Sequence, residues 1–357
     1  MLMLLLSMSA AASFEMYAQA KVWATLTNGT LTLTYGAKPK TPAQVKCTGC
    51  GRTLSFSTNY CPDCGTKNPK DFTVYDAFAK VKPSEYADYL VMPWYEKSSE
   101  IKKVVFDPSM RQATNITSLQ NFFYRLSYLT SITGLEYLNT SKVTDMSGMF
   151  DDCSRLSSID LSHFNTASVT NMNRMFYYCK SLTSLDVSHF KTDKVTTMEY
   201  MFSNCESLTS LDLSHFNTAN VSGTGLMNKF SGCKSLKTLD LSSFNTAKAT
   251  DLGGMFCECR SLTSINVSSF NTARVEDFIC MFEQCESLTT LDITSFDTRN
   301  AKMTAYMFRG CCRLKTIYVS GAKWVGLKVP NSGYYKPSLM SSDGTTLCNC
   351  YAQIVEK

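Results

Sequence analysis

The chain has 357 residues, of which 44% are hydrophobic and 18% charged. That balance excludes a disordered chain, and a net charge of +5 with no long basic run argues against a nucleic-acid surface. No stretch approaches the roughly 20 apolar residues of a membrane-spanning helix.

Residues 1–20 open with MLMLLLSMSAAASF, an apolar run of signal-peptide length. Ala18-Gln19-Ala20 comes next and has the A-x-A form of a cleavage site. The predicted mature chain starts near Lys21 and works outside the cytoplasm. A buried N-terminal helix is the other reading of this run.

Residues 21–115 read as a β-containing module that caps the N-terminal end of a repeating segment, residues 116–320. Val22–Leu26 and Thr30–Thr34 alternate around Asn28-Gly29, a hairpin signal. Ile101–Phe106 reads as another strand. Between them, across residues 46–66, lie Cys47-Thr48-Gly49-Cys50 and, ten residues on, Cys61-Pro62-Asp63-Cys64. Two CxxC knuckles at this separation place four thiolates tetrahedrally around zinc, so Cys47, Cys50, Cys61 and Cys64 are the predicted metal ligands. Four protein ligands leave no open position, which makes the zinc structural and not catalytic. Two disulfides are the alternative.

From residue 116 to 320 the chain repeats itself. Cys153, Cys179, Cys205, Cys233, Cys259, Cys285 and Cys311 are separated by 26, 26, 28, 26, 26 and 26 residues. A fixed period of this size marks a solenoid of stacked units, a fold that displays a surface and encloses no pocket. Leu182, Leu185 and Val187 fit L-x-x-L-x-L, a short strand with one buried face. Phe190 turns inward, and the Phe-Asn-Thr of sister units begins a tight loop in which Asn bonds its own backbone. Met172, Met175, Phe176 and Cys179 then fall at i, i+3, i+4 and i+7, which predicts a short helix. Asp145, Asn171, Thr197, Asp251 and Asp277 precede that stripe in different units as N-cap acceptors. The predicted fold is therefore α/β: a leucine-rich-repeat-like solenoid of about eight rungs, with one strand and one short helix per 26-residue unit. Residues 321–357 are its C-terminal cap or tail.

The ladder cysteines and the Met-rich stripe read as packing, with inter-rung disulfides the lesser alternative. His163, His189 and His215 share one repeat position, either an exposed strand end or a metal-binding or acid-sensing row. Asp160, Asp186, Asp212, Asp240, Asn266 and Asp292 form an acidic column. Either hydroxyls and loop N–H groups compensate it, or a row of calcium ions does. One unit carries two extra residues around Gly223 and Gly225, a surface bulge. The strand face holds no aromatic anchor. Residues of the kind that dominate interfaces lie on the other side: Arg174, Tyr177, Tyr178, Tyr200 and Tyr306 are the candidate binding residues, against a reading as ordinary surface variation.

The phrases LTSLDLSHFNT, VTNMNRMF and VTDMSGMFDDC, with the lead-in LTNGTLTLTYG, resemble the BspA-like leucine-rich-repeat surface proteins of bacteria. The resemblance covers most of residues 21–320; the zinc ribbon and the tail from Lys328 depart from it. It implies an exported, secreted or cell-surface protein whose role is adhesion or binding of host or neighbouring-cell proteins. The alternative is a cytoplasmic interaction scaffold whose ribbon contacts protein or nucleic acid. An enzyme is disfavoured: no nucleophile motif or catalytic metal triad appears, and equivalent units cannot all be an active site.

Overall fold

A computed structural model describes residues 22–36, 92, 94–324 and 352–357, with the backbone of Gln44–Lys46, Thr53–Ser55, Thr73–Asp76 and Tyr334–Tyr335. The leader (1–20) and the ribbon cysteines Cys47, Cys50, Cys61 and Cys64 lie outside the described residues. The chain divides into two units, residues 1–116 with 128–139, and residues 117–127 with 140–357.

In the first unit, β1 (Val22–Thr27) and β2 (Thr30–Tyr35) form the antiparallel hairpin read from the sequence. Asn28 and Gly29 both have positive φ, 50° and 73°, as a primed two-residue turn requires. A short antiparallel pair, β3 (Gln44–Lys46) and β4 (Thr53–Ser55), comes next in the chain. β5 (Thr73–Asp76) then returns to pair with β1. β6 (Lys103–Phe106) runs parallel to β2, and β7 (Ser131–Thr133) parallel to β6, giving the order β5-β1-β2-β6-β7. Val22, Ala24 and Leu26 alternate into the core with Leu31, Leu33, Val104 and Phe106.

The second unit is built from the repeat. Predicted strand positions pair in parallel with their neighbours in part of it. The parallel strands β8 (Thr238–Asp240) and β9 (Ser264–Asn266) pair, as do β10 (Thr290–Asp292) and β11 (Thr316–Val319). In earlier units the contact is looser, as in Thr183 N–H to Ser157 O at 3.4 Å. β12 (Tyr334–Tyr335) pairs antiparallel with β13 (Ala352–Glu356), and β13 pairs parallel with β11.

The predicted helix is not formed. The stripe Met172–Cys179 and its sisters are chains of turns, and no α-helix occurs among the described residues. Within one rung every second N–H closes a turn: Met175 to Met172 O, Tyr177 to Arg174 O, Cys179 to Phe176 O. The N–H groups between them reach the next rung: Met172 to Thr197 O, Arg174 to Glu199 O, Phe176 to Met201 O, Tyr178 to Ser203 O. A helix would spend all of these donors on its own carbonyls. The cause is two left-handed residues per rung, four apart, such as Arg174 (φ 56°) and Tyr178 (φ 58°), or Tyr200 (54°) and Asn204 (59°). Positive φ at the third position of a turn is the type II arrangement, and it cannot be propagated as a right-handed helix. Four of the five residues read as N-caps accept the backbone N–H two positions on, as in Asp145 to Ser147 (2.8 Å) and Asp251 to Gly253 (2.7 Å), but they open a turn chain, and the fifth, Thr197, keeps a buried hydroxyl without a partner.

Packing runs along the columns. The rings of Phe123, Phe150, Phe176, Phe202, Phe230, Phe256, Phe282 and Phe308 stack in sequence at 5.1 to 5.9 Å between centroids. All seven ladder cysteines are buried free thiols. Each donates to the carbonyl of the phenylalanine one rung back, for example Cys179 to Phe150 O at 3.1 Å and Cys205 to Phe176 O at 3.2 Å. The threonines of the Phe-Asn-Thr loops are buried clamps: Thr218 Oγ1 donates to Asn245 O (2.9 Å) and accepts from Asn245 N–H (2.7 Å). Asn in the same loops bonds its own backbone, as in Ala219 N–H to Asn217 Oδ1 at 3.0 Å.

Candidate functional site

Stacking the rungs brings four of the five candidate residues together. Arg174 and Tyr200 hold the same left-handed position on adjacent rungs, and Tyr177 and Tyr178 lie three and four residues beyond Arg174. The Arg174 guanidinium carbon sits 3.9 Å from the centroid of the Tyr177 ring and 5.9 Å from that of Tyr200. Tyr177 meets Tyr178 at 4.5 Å and Tyr200 at 5.7 Å, both edge-on. These rings are half-buried, so each shows part of a face to solvent.

Charged groups hold the patch in place. Arg174 Nε donates to Asp151 Oδ2 at 2.8 Å. Lys180 Nζ lies 5.0 Å from the Tyr178 centroid and 3.1 Å from Glu206, which also takes Lys234 at 3.3 Å. Asp151 is buried, and burial pushes its carboxyl up to about 6 against the pull of Arg174. Burial also pushes the Tyr177 phenol up. The sequence reading missed Asp151 and Lys180. The signal for Asp151 was positional, since only this unit has Asp at that repeat position beside an Arg one rung later.

Tyr306 does not join this patch. It belongs to a second cluster, where Arg309 lies 4.4 Å over its ring and forms an ion pair with Glu283. Cys257 and Cys280 are half-buried there, and burial with the Glu283 carboxylate pushes both thiols up to about 12. Thiols so shifted are poor nucleophiles.

The acidic column is compensated by hydrogen bonds. Ser162, Ser188, Ser214 and Ser242 donate backbone N–H groups to Asp160, Asp186, Asp212 and Asp240 at 2.9 to 3.0 Å. These bonds hold the four carboxyls below their ordinary range. No group of three or more His, Cys, Asp or Glu side chains suited to a metal occurs among the described residues. His163 and His215 are exposed and hydrogen-bond their neighbouring serines, His189 is half-buried and edge-on to Phe190, and Ser243, Ser269 and Ser295 bond carbonyls of the preceding rung.

A family model described as "Mycoplasma protein of unknown function, DUF285" matches residues 117–238 and 224–331, together more than half of the chain. A leucine rich cell surface protein from Faecalibacterium prausnitzii is 16% identical over 84% of this chain and 87% of its own, with a TM-score of 0.30. A leucine-rich repeat protein from Eubacterium ventriosum is 16% identical over 91% of this chain and 97% of its own, with a TM-score of 0.23. No curated protein matches. No helix among the described residues is long and apolar enough to cross a membrane.

Proposed function

We propose that this chain, which belongs to the DUF285 family, is a non-enzymatic secreted or cell-surface repeat protein. Its partners are proteins of a host or neighbouring cell, and it takes them on the patch of Arg174, Tyr177, Tyr178 and Tyr200. The observation that carries this is the convergence of two tyrosine rings, Tyr177 and Tyr200, on one arginine across two rungs, with Tyr178 packed edge-on against Tyr177. Tyr and Arg are the residues that carry binding energy at protein interfaces, because they bury much area at little entropic cost. Asp151 fixes the arginine beforehand, which lowers the cost of ordering it on binding. The apolar leader supports export, and so does the disulfide in which Cys312 takes part, because disulfides persist in oxidising compartments. Cys47, Cys50, Cys61 and Cys64 are proposed to hold one structural zinc.

The test is a solid-phase binding screen of the purified chain against extracellular-matrix and cell-surface proteins. Binding through the patch predicts that Tyr177→Ala and Arg174→Ala each weaken the hit about 30-fold, the size of a hot-spot truncation. Unchanged affinity in both variants would move the interface elsewhere. Cell fractionation with N-terminal sequencing tests export, and a full-length N-terminus confined to cytosol would refute it. Metal analysis tests the ribbon, with one zinc per chain expected and none after Cys47→Ser with Cys61→Ser.

A further inference from the structure

Lys229 occupies a position that is methionine in the sister units: Met149, Met175, Met201, Met255, Met281 and Met307 all precede the ladder phenylalanine. The lysine is fully buried, at 0% exposure. Its Nζ lies 5.3 to 5.8 Å from the ring centroids of Phe202, Phe216, Phe230 and Phe244. The nearest heteroatoms are two thioether sulfurs, Met198 Sδ at 2.9 Å and Met201 Sδ at 3.8 Å. Desolvation alone pushes the amine well below its ordinary range, and no charged group offsets it. Lys229 is therefore an amine whose charged form burial disfavours, touching a soft sulfur in a cage of rings.

We propose that Met198 and Lys229 are a latent cross-link site, closed by a hypohalous acid into a bond between Met198 Sδ and Lys229 Nζ. The sulfur gives an electron pair to the halogen of hypobromous acid, forming a bromosulfonium and releasing hydroxide. The Nζ lone pair then attacks sulfur, and bromide leaves with the S–Br pair. The proton lost from nitrogen turns hydroxide into water. Thioether, amine and hypobromous acid thus give an aminosulfonium, bromide and water. Sulfur is oxidised by two electrons and the bromine reduced by two. Loss of the second N–H proton yields the neutral S=N link.

Two features favour this outcome over ordinary methionine oxidation. The amine is already in contact with the sulfur, so the second step is intramolecular. Burial disfavours the charged form of the amine, which makes its lone pair more available. The oxidant is small and neutral, and the local openings common to folded domains admit it. The link would join two neighbouring rungs through residues 31 apart, and Lys229 lies in the unit that carries the two-residue insertion.

The test treats the full chain with hypobromous acid at neutral pH, digests it and maps the peptides by mass spectrometry. The expected product joins the peptides of Met198 and Lys229, with the mass of the pair less two hydrogen atoms. Lys229→Met completes the methionine column and should fold; it is expected to give no joined peptide. The proposal is overturned if, at a dose that fully converts the exposed Met303, Met198 is recovered intact or as the sulfoxide with Lys229 free. It is equally overturned if Lys229 joins Met201 instead.

Discussion

Arg174 Nε donates to Asp151 Oδ2 at 2.8 Å, yet the Asp151 carboxyl titrates at about 6, because burial outweighs the guanidinium beside it. Linkage sets the sign. A carboxyl raised above its unfolded value holds a proton in the folded state that the unfolded chain has already lost. Its contribution therefore favours folding fully below the unfolded value of about 3.9 and is lost as pH rises through 6. Two pKa units correspond to about 3 kcal/mol between those limits. Asp151→Asn should flatten that part of the stability profile in urea melts at pH 4 to 7. The tyrosine near-ultraviolet spectrum of the native protein should also shift as pH falls through about 6, when Asp151 takes up a proton and loosens its hold on Arg174. An unaltered slope in Asp151→Asn would show that another group titrates there.

Lys229 gives the opposite slope. Burial lowers its folded pKa, so below an unfolded value of about 10.4 the unfolded chain binds a proton that the native chain refuses. Stability then rises with pH towards that value. Lys229→Met removes the term and restores the column, and should stabilise the protein by about 1–3 kcal/mol at neutral pH. Denaturant melts of the two chains at pH 6 and 9 check both claims: the gap should narrow at the higher pH.

Legibility depended on the kind of interaction. The period, the buried Phe, Met and Cys columns and the Asn28-Gly29 hairpin were open in the sequence, because burial and turn chemistry leave repeating marks. The helix was misread because the apolar pattern i, i+3, i+4, i+7 is shared by a chain of turns with left-handed residues four apart. A warning was present in the units where those positions are Gly148, Asn228, Gly232 and Gly254, residues that favour positive φ. Arg174, Tyr178 and Tyr200 gave no such warning, since bulky side chains rarely adopt it. The patch itself was half legible. The tyrosines were visible, but which of them meet depends on the rungs they occupy, and Tyr306, four rungs beyond Tyr200 at the same repeat position, meets Arg309 instead. Lys229 carried a clear mark, a lysine in a methionine column, and went unread.

Gly254 tests the turn chain directly. It sits at φ +59°, and a Cβ there would collide with the side-chain oxygen of Asn228 on the preceding rung. Gly223 has the same φ of +59° with nothing within 4 Å of a Cβ. Gly223→Ala therefore isolates the backbone cost, about 1 kcal/mol. Gly254→Ala adds the collision and should cost more than that. Equal losses in thermal melts would mean that Asn228 swings aside freely.

Thr218 is the sharpest probe of the loop clamp. It is fully buried, and its hydroxyl serves both the N–H and the carbonyl of Asn245. Thr218→Val keeps the shape but leaves those two backbone groups without their partner, and each such loss costs about 1–3 kcal/mol. Thr218→Ser keeps the hydroxyl and loses one methyl, about 0.8 kcal/mol before any cavity term. The isosteric change should thus be the more damaging one, contrary to a hydrophobic-packing account of the same position. Chemical denaturation of both variants decides it. If serine is as costly as valine, the methyl and not the hydroxyl holds the loops in register.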